Sequence, residues 1–259
     1  MKQKMTRLAL LMGAMVLATG AQAALTYGNL NTFGFTSSSL PGYQDAVYMG
    51  GGGGVINGNW TINTIGSLEI GLRAINRGTF VGDGSSGTYS FDSGLCNPVC
   101  SGGPKAMWNY EFSVNTRAGV TGGDDLTTKI VQIRVDTDRT ANFAWTGWND
   151  VTTNWGDNAY WDGIDEVGST DEKRVGTGPA LAGEFGVQQS VNPLFGNSLF
   201  QPGFDPFVSG LYRIEMRVTD RAGGFLGEVG TNVQVPEPSS LALVGLAIAG
   251  LGFASRRKA

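Results

Sequence analysis

The chain has 259 residues, a formal net charge of −4 and 41% hydrophobic residues. Its 41 glycines and its low charged fraction of 15% favour many strands joined by tight turns, because glycine readily adopts the backbone angles of such turns. It contains no histidine, which excludes serine–histidine and cysteine–histidine catalysis and histidine-ligated zinc.

Residues 1–23 have the features of a secretory signal peptide. Three positive residues precede an apolar segment, 8–18, and small residues follow at Ala21 and Ala23. This is the pattern that signal peptidase accepts, so we predict cleavage between Ala23 and Ala24 and export of the mature protein. The apolar segment is too short for a membrane anchor, and the cleavage pattern follows it too closely.

Residues 24–234 are predicted to form one all-β ectodomain. Five segments alternate apolar and polar residues with a period of two, as do strands that bury one face and leave the other in water. We therefore predict an antiparallel β-sandwich of jelly-roll or immunoglobulin-like type. Residues 149–205, rich in Asn, Asp, Gly and Pro, have a weaker strand pattern and are predicted to be mainly long loops. The five strand segments are 68–74, 108–114, 131–135, 212–218 and 225–235.

The chain contains two cysteines, Cys96 and Cys100, in the sequence CNPVC. In an exported protein such a pair favours a disulfide that closes a small loop. A structural zinc site is disfavoured, because zinc needs four nitrogen or sulfur ligands and the chain has too few.

Acidic residues raise the question of calcium binding or carboxylate catalysis. Asp136 and Asp138 occupy the first and third positions of an EF-hand-like pattern, but Ala141 and Gly147 stand where that pattern needs Gly and Glu. A calcium site of another type among Asp136, Asp138 and the acids of 157–166 stays open. Six acids between residues 157 and 172 could supply a glycosidase pair, but such crowding is usually a solvated loop. We expect no other cofactor and no enzymatic activity.

Four tryptophans fall within the seventeen residues 145–161. Trp145, like Trp108 earlier in the chain, lies on a strand pattern and is predicted to fill the core or to brace its loops. Trp148, Trp155 and Trp161 lie on loop-like sequence, where exposed indoles can stack on sugar rings. A carbohydrate-binding module, calcium-dependent in one version, is therefore an alternative function.

Residues 235–259 form a separate C-terminal segment. Its apolar run, 241–254, has 14 residues without a charge. As a helix it would extend about 21 Å, less than the roughly 30 Å of a bilayer core. We predict a short transmembrane helix whose basic tip stays in the cytoplasm while the ectodomain lies across the membrane. The tip consists of Arg256, Arg257 and Lys258.

This segment resembles the PEP-CTERM sorting signal of Gram-negative bacteria. It carries Pro236-Glu237-Pro238, a short Leu/Ala/Gly span and an Arg-rich tip in the order of that family. The resemblance implies recognition of Pro236, Glu237 and Pro238 by exosortase, a membrane-embedded cysteine protease, and removal of the tail. It also implies transient inner-membrane anchoring, followed by sorting to the cell surface or the extracellular matrix, in a system that accompanies exopolysaccharide production.

Together these features predict an exported, exosortase-processed protein with a structural or interaction role linked to exopolysaccharide or biofilm. Short motifs such as IGLRA and WNYEFSVNT also resemble those of other exported PEP-CTERM proteins, and they imply no activity. A carbohydrate-binding module is the alternative, and a carboxylate-based glycosidase is less favoured. The expected partners are signal peptidase, exosortase and exopolysaccharide. Nucleic acid is disfavoured, because residues 24–235 carry 12 Lys and Arg against 21 Asp and Glu.

Overall fold

The computed structural model describes residues 24–30, 46–47, 55–56, 58–77, 86–96, 100, 103–118, 123–140, 142–154, 159–161 and 181–237. The predicted signal peptide, transmembrane helix and basic tip lie outside these residues. So do three of the predicted site features: Pro238, Trp155 and the acids of 157–172. No helix within the described ranges is apolar and long enough to cross a membrane.

Strands dominate the described residues, with one 3-10 helix, Leu126–Thr128, and one four-residue α-helix, Val151–Asn154. The strands are β1 (Thr26–Gly28), β2 (Ala46–Val47), β3 (Val55–Ile56), β4 (Trp60–Ile65), β5 (Leu68–Asn76), β6 (Thr88–Ser90), β7 (Trp108–Asn115), β8 (Lys129–Asp136), β9 (Asn149–Asp150), β10 (Ala159–Trp161), β11 (Gly186–Val191), β12 (Gly210–Asp220) and β13 (Phe225–Val235).

These strands build two large sheets, which confirms the all-β prediction. The six-stranded sheet has the order β1-β4-β5-β7-β11-β10, with every neighbouring pair antiparallel. The five-stranded sheet has the order β6-β13-β12-β8-β9 and is antiparallel except for the β6–β13 pair. β2 and β3 form a separate two-stranded sheet.

The apolar sides of the two large sheets share one hydrophobic core. Tyr110 and Phe112 from β7 and Ile214 and Met216 from β12 are fully buried in it. β13 contacts both β4 and β5, so the sheets meet directly. Trp108 is 2% exposed and lies in this core, as the strand pattern predicts. Burial of such large side chains contributes roughly 1.5–3 kcal/mol each.

The outward side of β5 and β7, the central strands of the six-stranded sheet, is buried, so the prediction that it faces water was wrong. Glu69, Arg73 and Glu111 point away from the core on β5 and β7, yet each is only 2% exposed. Apolar side chains cover this side: a Cβ added at Gly71 would lie 2.7 Å from Leu30 and 3.1 Å from Trp60. An alternating sequence pattern shows which residues share one side of a strand, but it does not show what packs against the second side in the folded protein.

The Arg73–Glu111 ion pair offsets the energetic cost of burying charged groups on this covered side. Arg73 Nε donates to Glu111 Oε2 over 2.7 Å, and its Nη1 donates to the Gly58 carbonyl oxygen over 2.8 Å. The guanidinium carbon also lies 4.4 Å from the centre of the Trp60 ring, within cation–π range. Each charge therefore has a direct partner in place of water, as burial requires.

β11 lies within residues predicted to be mainly loops and is the second correction. Its sequence, GVQQSV, has too many polar residues to suggest a buried strand, but the strand pairs with β7 inside the six-stranded sheet. Gln188 donates to Ser113 Oγ over 2.9 Å, and Asn192, just after the strand, donates to the Trp108 carbonyl oxygen over 3.0 Å. The polar groups are satisfied by partners that are remote in sequence.

The alternation predicted for β13 holds at Val229, Val233 and Val235 but fails at Phe225, which is 59% exposed. The β12–β13 pairing shifts register between Val218 and Thr219, so Phe225 lies at the hairpin end, past the last layer of the core.

Candidate functional site

The outward side of the five-stranded sheet collects several of the predicted site residues. β8, β12 and β13 alternate buried and half-buried residues, so their outward side chains form a polar surface. The segment between β8 and β9 places three aromatic rings on that surface. We call the whole set the aromatic–guanidinium face. It comprises Gln132, Arg134, Phe143, Trp145, Trp148, Arg213, Glu215, Arg217 and Glu228.

Guanidinium groups lie against every ring of this face. Arg134 is 4.5 Å from the ring centre of Trp145 and 4.3 Å from that of Trp148. Arg217 is 4.2 Å from the Trp148 ring centre, and Arg213 is 4.5 Å from that of Phe143. These distances are within cation–π range, so the rings are held in fixed positions.

The observed positions change the predicted roles of the aromatic residues. Trp145 is half-buried against Arg134 and stacks on Phe143, so of its two predicted roles the structure favours bracing a loop over filling the core. Trp148 is also half-buried, between the strand arginines and solvent. Phe143, which sequence reasoning missed, is 62% exposed and stacks on Trp145, with ring centres 5.9 Å apart and planes at 11°. Its spacing of two residues from Trp145 was the available signal.

Trp161 belongs to a different part of the molecule. Its backbone lies in β10, at the edge of the six-stranded sheet, where it pairs with Gly186. The structure therefore does not bring the strand of Trp161 to the aromatic–guanidinium face. Of the three tryptophans predicted to bind sugar, Trp148 lies on that face, and Trp155 lies outside the described residues.

Asp136 fixes the segment that carries the rings. Its Oδ1 accepts from the amides of Asp138, over 3.0 Å, and Ala144, over 2.7 Å. Its Oδ2 accepts from Arg213 Nη1 over 2.6 Å, and the side chain is fully buried. A calcium ion at Asp136 would have to displace Arg213.

Asp138 has its own local role beside it. Hydrogen bonds from the hydroxyl and amide of Thr140 lower the pKa of the Asp138 carboxyl. Within the part of the chain that the structure describes, no three His, Cys, Asp or Glu side chains gather as metal ligands. The geometry thus gives Asp136 and Asp138 a part in loop conformation.

The two cysteines form a disulfide in the loop before β7. Their Cα atoms are 5.4 Å apart, and the Cys100 amide donates to the Cys96 carbonyl oxygen over 2.8 Å. Leu95 and Ala106 form an isolated β-bridge beside the disulfide. Because the chain has only these two cysteines, neither thiol is available as a nucleophile or metal ligand.

Glu228 is an electrostatically unfavourable member of the aromatic–guanidinium face. Arg134 Nη2 pairs with Glu215 Oε2 over 2.5 Å, and Arg217 Nε donates to Gln132 Oε1 over 2.9 Å. Burial raises the pKa of Glu228, and the Glu215 carboxylate raises it further, against the opposing effect of the two arginines. The charged form of Glu228 is therefore disfavoured in the folded protein.

We expect Glu228→Gln to raise the melting temperature of the mature protein at pH 7. The pKa of Glu228 is higher when folded than when unfolded, so ionisation opposes folding above both values. The gain should disappear below about pH 4.3, where the carboxyl is protonated in both states. Thermal unfolding at pH 7 and pH 4 measures this. Glu215→Gln, which removes the partner of Arg134, should act in the opposite direction at pH 7, and equal shifts in the two variants would contradict the assignment.

The end of β13 leads directly into the C-terminal motif. Val235 pairs with Gly210 and is 2% exposed, whereas Pro236 and Glu237 are exposed. Residues 234–258 match the family model described as the PEP-CTERM protein-sorting motif. The chain thus carries this sorting signal, and the match begins inside the last strand. A search of curated proteins gave no match.

Proposed function

This chain carries a PEP-CTERM sorting signal, and we propose that it has a non-enzymatic structural or interaction role at the cell surface or in an exopolysaccharide matrix. The motif implies export, sorting to the cell surface and exosortase as the processing partner. The sorting signal is the observation that carries the proposal, because it names the compartment in which the ectodomain works.

The proposal also covers the export route of the protein and the type of its β fold. Residues 1–23 act as the signal peptide, and 241–254 hold the chain in the inner membrane until the tail is removed. The two sheets form a β-sandwich of jelly-roll or immunoglobulin-like type. Their shared core and the eleven-residue strands β12 and β13 support a rigid ectodomain suited to a matrix.

Carbohydrate binding by the aromatic–guanidinium face is the second candidate. Phe143 is the observation that favours it, because its exposed ring is held parallel to Trp145 and offers an apolar surface to solvent. Sugar rings pack their C–H faces on such rings, while nearby guanidinium and carboxylate groups can bond to hydroxyls. Arg213 and Glu215, next to these rings, supply both kinds of group.

Cosedimentation tests both candidates. We expect the mature protein from the culture medium to sediment with the exopolysaccharide of the producing strain. Phe143→Ser should lower the bound fraction several-fold. Phe225→Ser is the matched control, since Phe225 is 59% and Phe143 62% exposed but only Phe143 lies on this face.

The two possible failures have different meanings. A wild-type protein that stays in the supernatant would contradict the matrix role. Wild-type binding that Phe143→Ser and Phe225→Ser leave equally intact would exclude this face as the carbohydrate site and leave the matrix role standing.

A further inference from the structure

A second surface feature, a cleft of about 220 Å³, opens where β12 begins. It is separate from the three rings of the aromatic–guanidinium face. Its walls combine apolar rings with one positive and one negative side chain, which is the composition of a site for a small polar ligand. The residues that matter here are Thr137, Arg139, Phe200, Phe204, Asp205 and Tyr212.

The floor of the cleft is rigid because it continues into the core. The ring centres of Phe200 and Phe204 are 5.8 Å apart, and Phe204 lies 5.4 Å from Tyr212. The ring centre of Trp108, a core residue, lies 5.5–5.8 Å from the ring centres of all three. A ligand would therefore meet ring surfaces that are already in place, so little order is lost when it binds.

Arg139 lines this cleft, and a side-chain hydrogen bond joins it to Tyr212. Its backbone oxygen accepts from the Leu211 amide over 3.0 Å, which fixes the residue beside β12. Its Nη1 is buried and has no hydrogen-bond partner among the described residues. Asp205 shares the cleft but directs Oδ1 to the Phe207 amide, over 2.9 Å. A buried donor without an acceptor is unfavourable, so the Arg139 side chain gains a partner if it turns toward a ligand that supplies an acceptor in the cleft.

We propose that this cleft binds a sugar ring that bears a carboxylate, such as a uronate unit of an acidic polysaccharide. The planar carboxylate matches the guanidinium of Arg139, which favours two-point contact with such groups. The ring face packs on Phe204, and the hydroxyls bond to Asp205 and Thr137. The cleft is smaller than the 300–1,000 Å³ typical of sites for drug-sized ligands, which suits a single sugar ring.

The ligand class deepens the proposed matrix role and rests on it, because that role is what makes a polysaccharide the source of the carboxylate. The test therefore uses defined oligosaccharides, whose binding does not depend on the strain's own exopolysaccharide. Failure here and failure of cosedimentation are then separate results.

Calorimetric titration of the mature protein tests the inference, with a galacturonic acid trimer as the acidic probe. A galactose trimer is the neutral control, and succinate is a control that has carboxylates but no sugar ring. We expect the acidic trimer to bind at least tenfold more tightly than either control, and Arg139→Gln to remove that preference. Arg221→Gln is the matched control, since Arg221 lies beyond the other end of β12 and donates to the Thr127 carbonyl oxygen over 2.8 Å. It should leave the affinity unchanged.

A second variant keeps the test decisive if Arg139→Gln fails to fold. Phe204→Leu keeps apolar volume but removes the ring face, so it should weaken the acidic trimer several-fold and leave the weak binding of succinate unchanged. Equal affinity for the acidic and neutral trimers, equal affinity for succinate, or a galacturonate affinity that Arg139→Gln leaves intact would each overturn the inference. Absence of trimer binding would overturn it as well.

Discussion

Replacement of Glu111 by Gln is expected to lower the free energy of unfolding by about 3–5 kcal/mol. The change removes the negative charge that lies 2.7 Å from the Arg73 guanidinium, in a place where the two side chains are only 3% and 2% exposed. Arg73 cannot turn to water, because Trp60 lies against its guanidinium group. Chemical denaturation of the mature protein, followed by tryptophan fluorescence, measures the loss.

The matched control applies the same change to the more exposed pair on the other sheet. The side chains of Arg134 and Glu215 are 27% and 24% exposed, so water can replace part of what Glu215→Gln removes. We expect a loss of about 1 kcal/mol or less for this variant. Equally small losses in both variants would show that water reaches Arg73 and that the outward side of the six-stranded sheet is open.

Asp136→Asn is expected to cost about 3–5 kcal/mol and to loosen the segment that carries Phe143 and Trp145. The carboxylate accepts from two backbone amides and from Arg213, whereas an amide side chain carries no charge for Arg213 and has only one acceptor oxygen. Urea denaturation measures the energy, and proteolysis between residues 137 and 148 reports the loosening. Asp138→Asn is the control and should cause a clearly smaller loss.

The same variant tests calcium dependence. Because both oxygens of Asp136 already accept hydrogen bonds, we expect added calcium and a chelator to shift the melting temperature of the wild-type protein no more than that of Asp136→Asn. A calcium-induced rise that Asp136→Asn abolishes would contradict this expectation and favour calcium-dependent carbohydrate binding.

The core could be predicted from the sequence because it follows from local patterns. Alternating apolar residues such as Tyr110 and Phe112, or Ile214 and Met216, assign one side of each strand to the interior. The second side could not be predicted in this way. Glu111 and Arg73 are 38 positions apart, and Asn192 and Trp108 are 84 apart, so their contacts depend on strand order.

The candidate site was predictable only in part for the same reason. Trp145 and Trp148 drew attention as aromatic residues close together, but their positions depend on Arg134 and Arg217, which belong to separate strands. Arg139 and Tyr212 likewise meet only because β8 pairs with β12. The sorting signal needs no such information, since its parts are contiguous in the chain and residues 234–258 are sufficient to identify it.

The position of the last strand restricts where the C-terminal tail can be cut. β13 remains paired up to Val235, and Pro236 follows without a spacer. Cleavage before Val235 would remove a buried residue from the core, so we expect the processed protein to retain it.

Intact mass of the protein from surface and medium fractions, with and without the native exosortase, tests the central claim most directly. The predicted result is a species that begins at Ala24, retains Val235 and lacks the apolar tail, and that appears only when exosortase is present. A full-length C-terminus in both strains would contradict exosortase processing and would leave the tail as an ordinary membrane anchor.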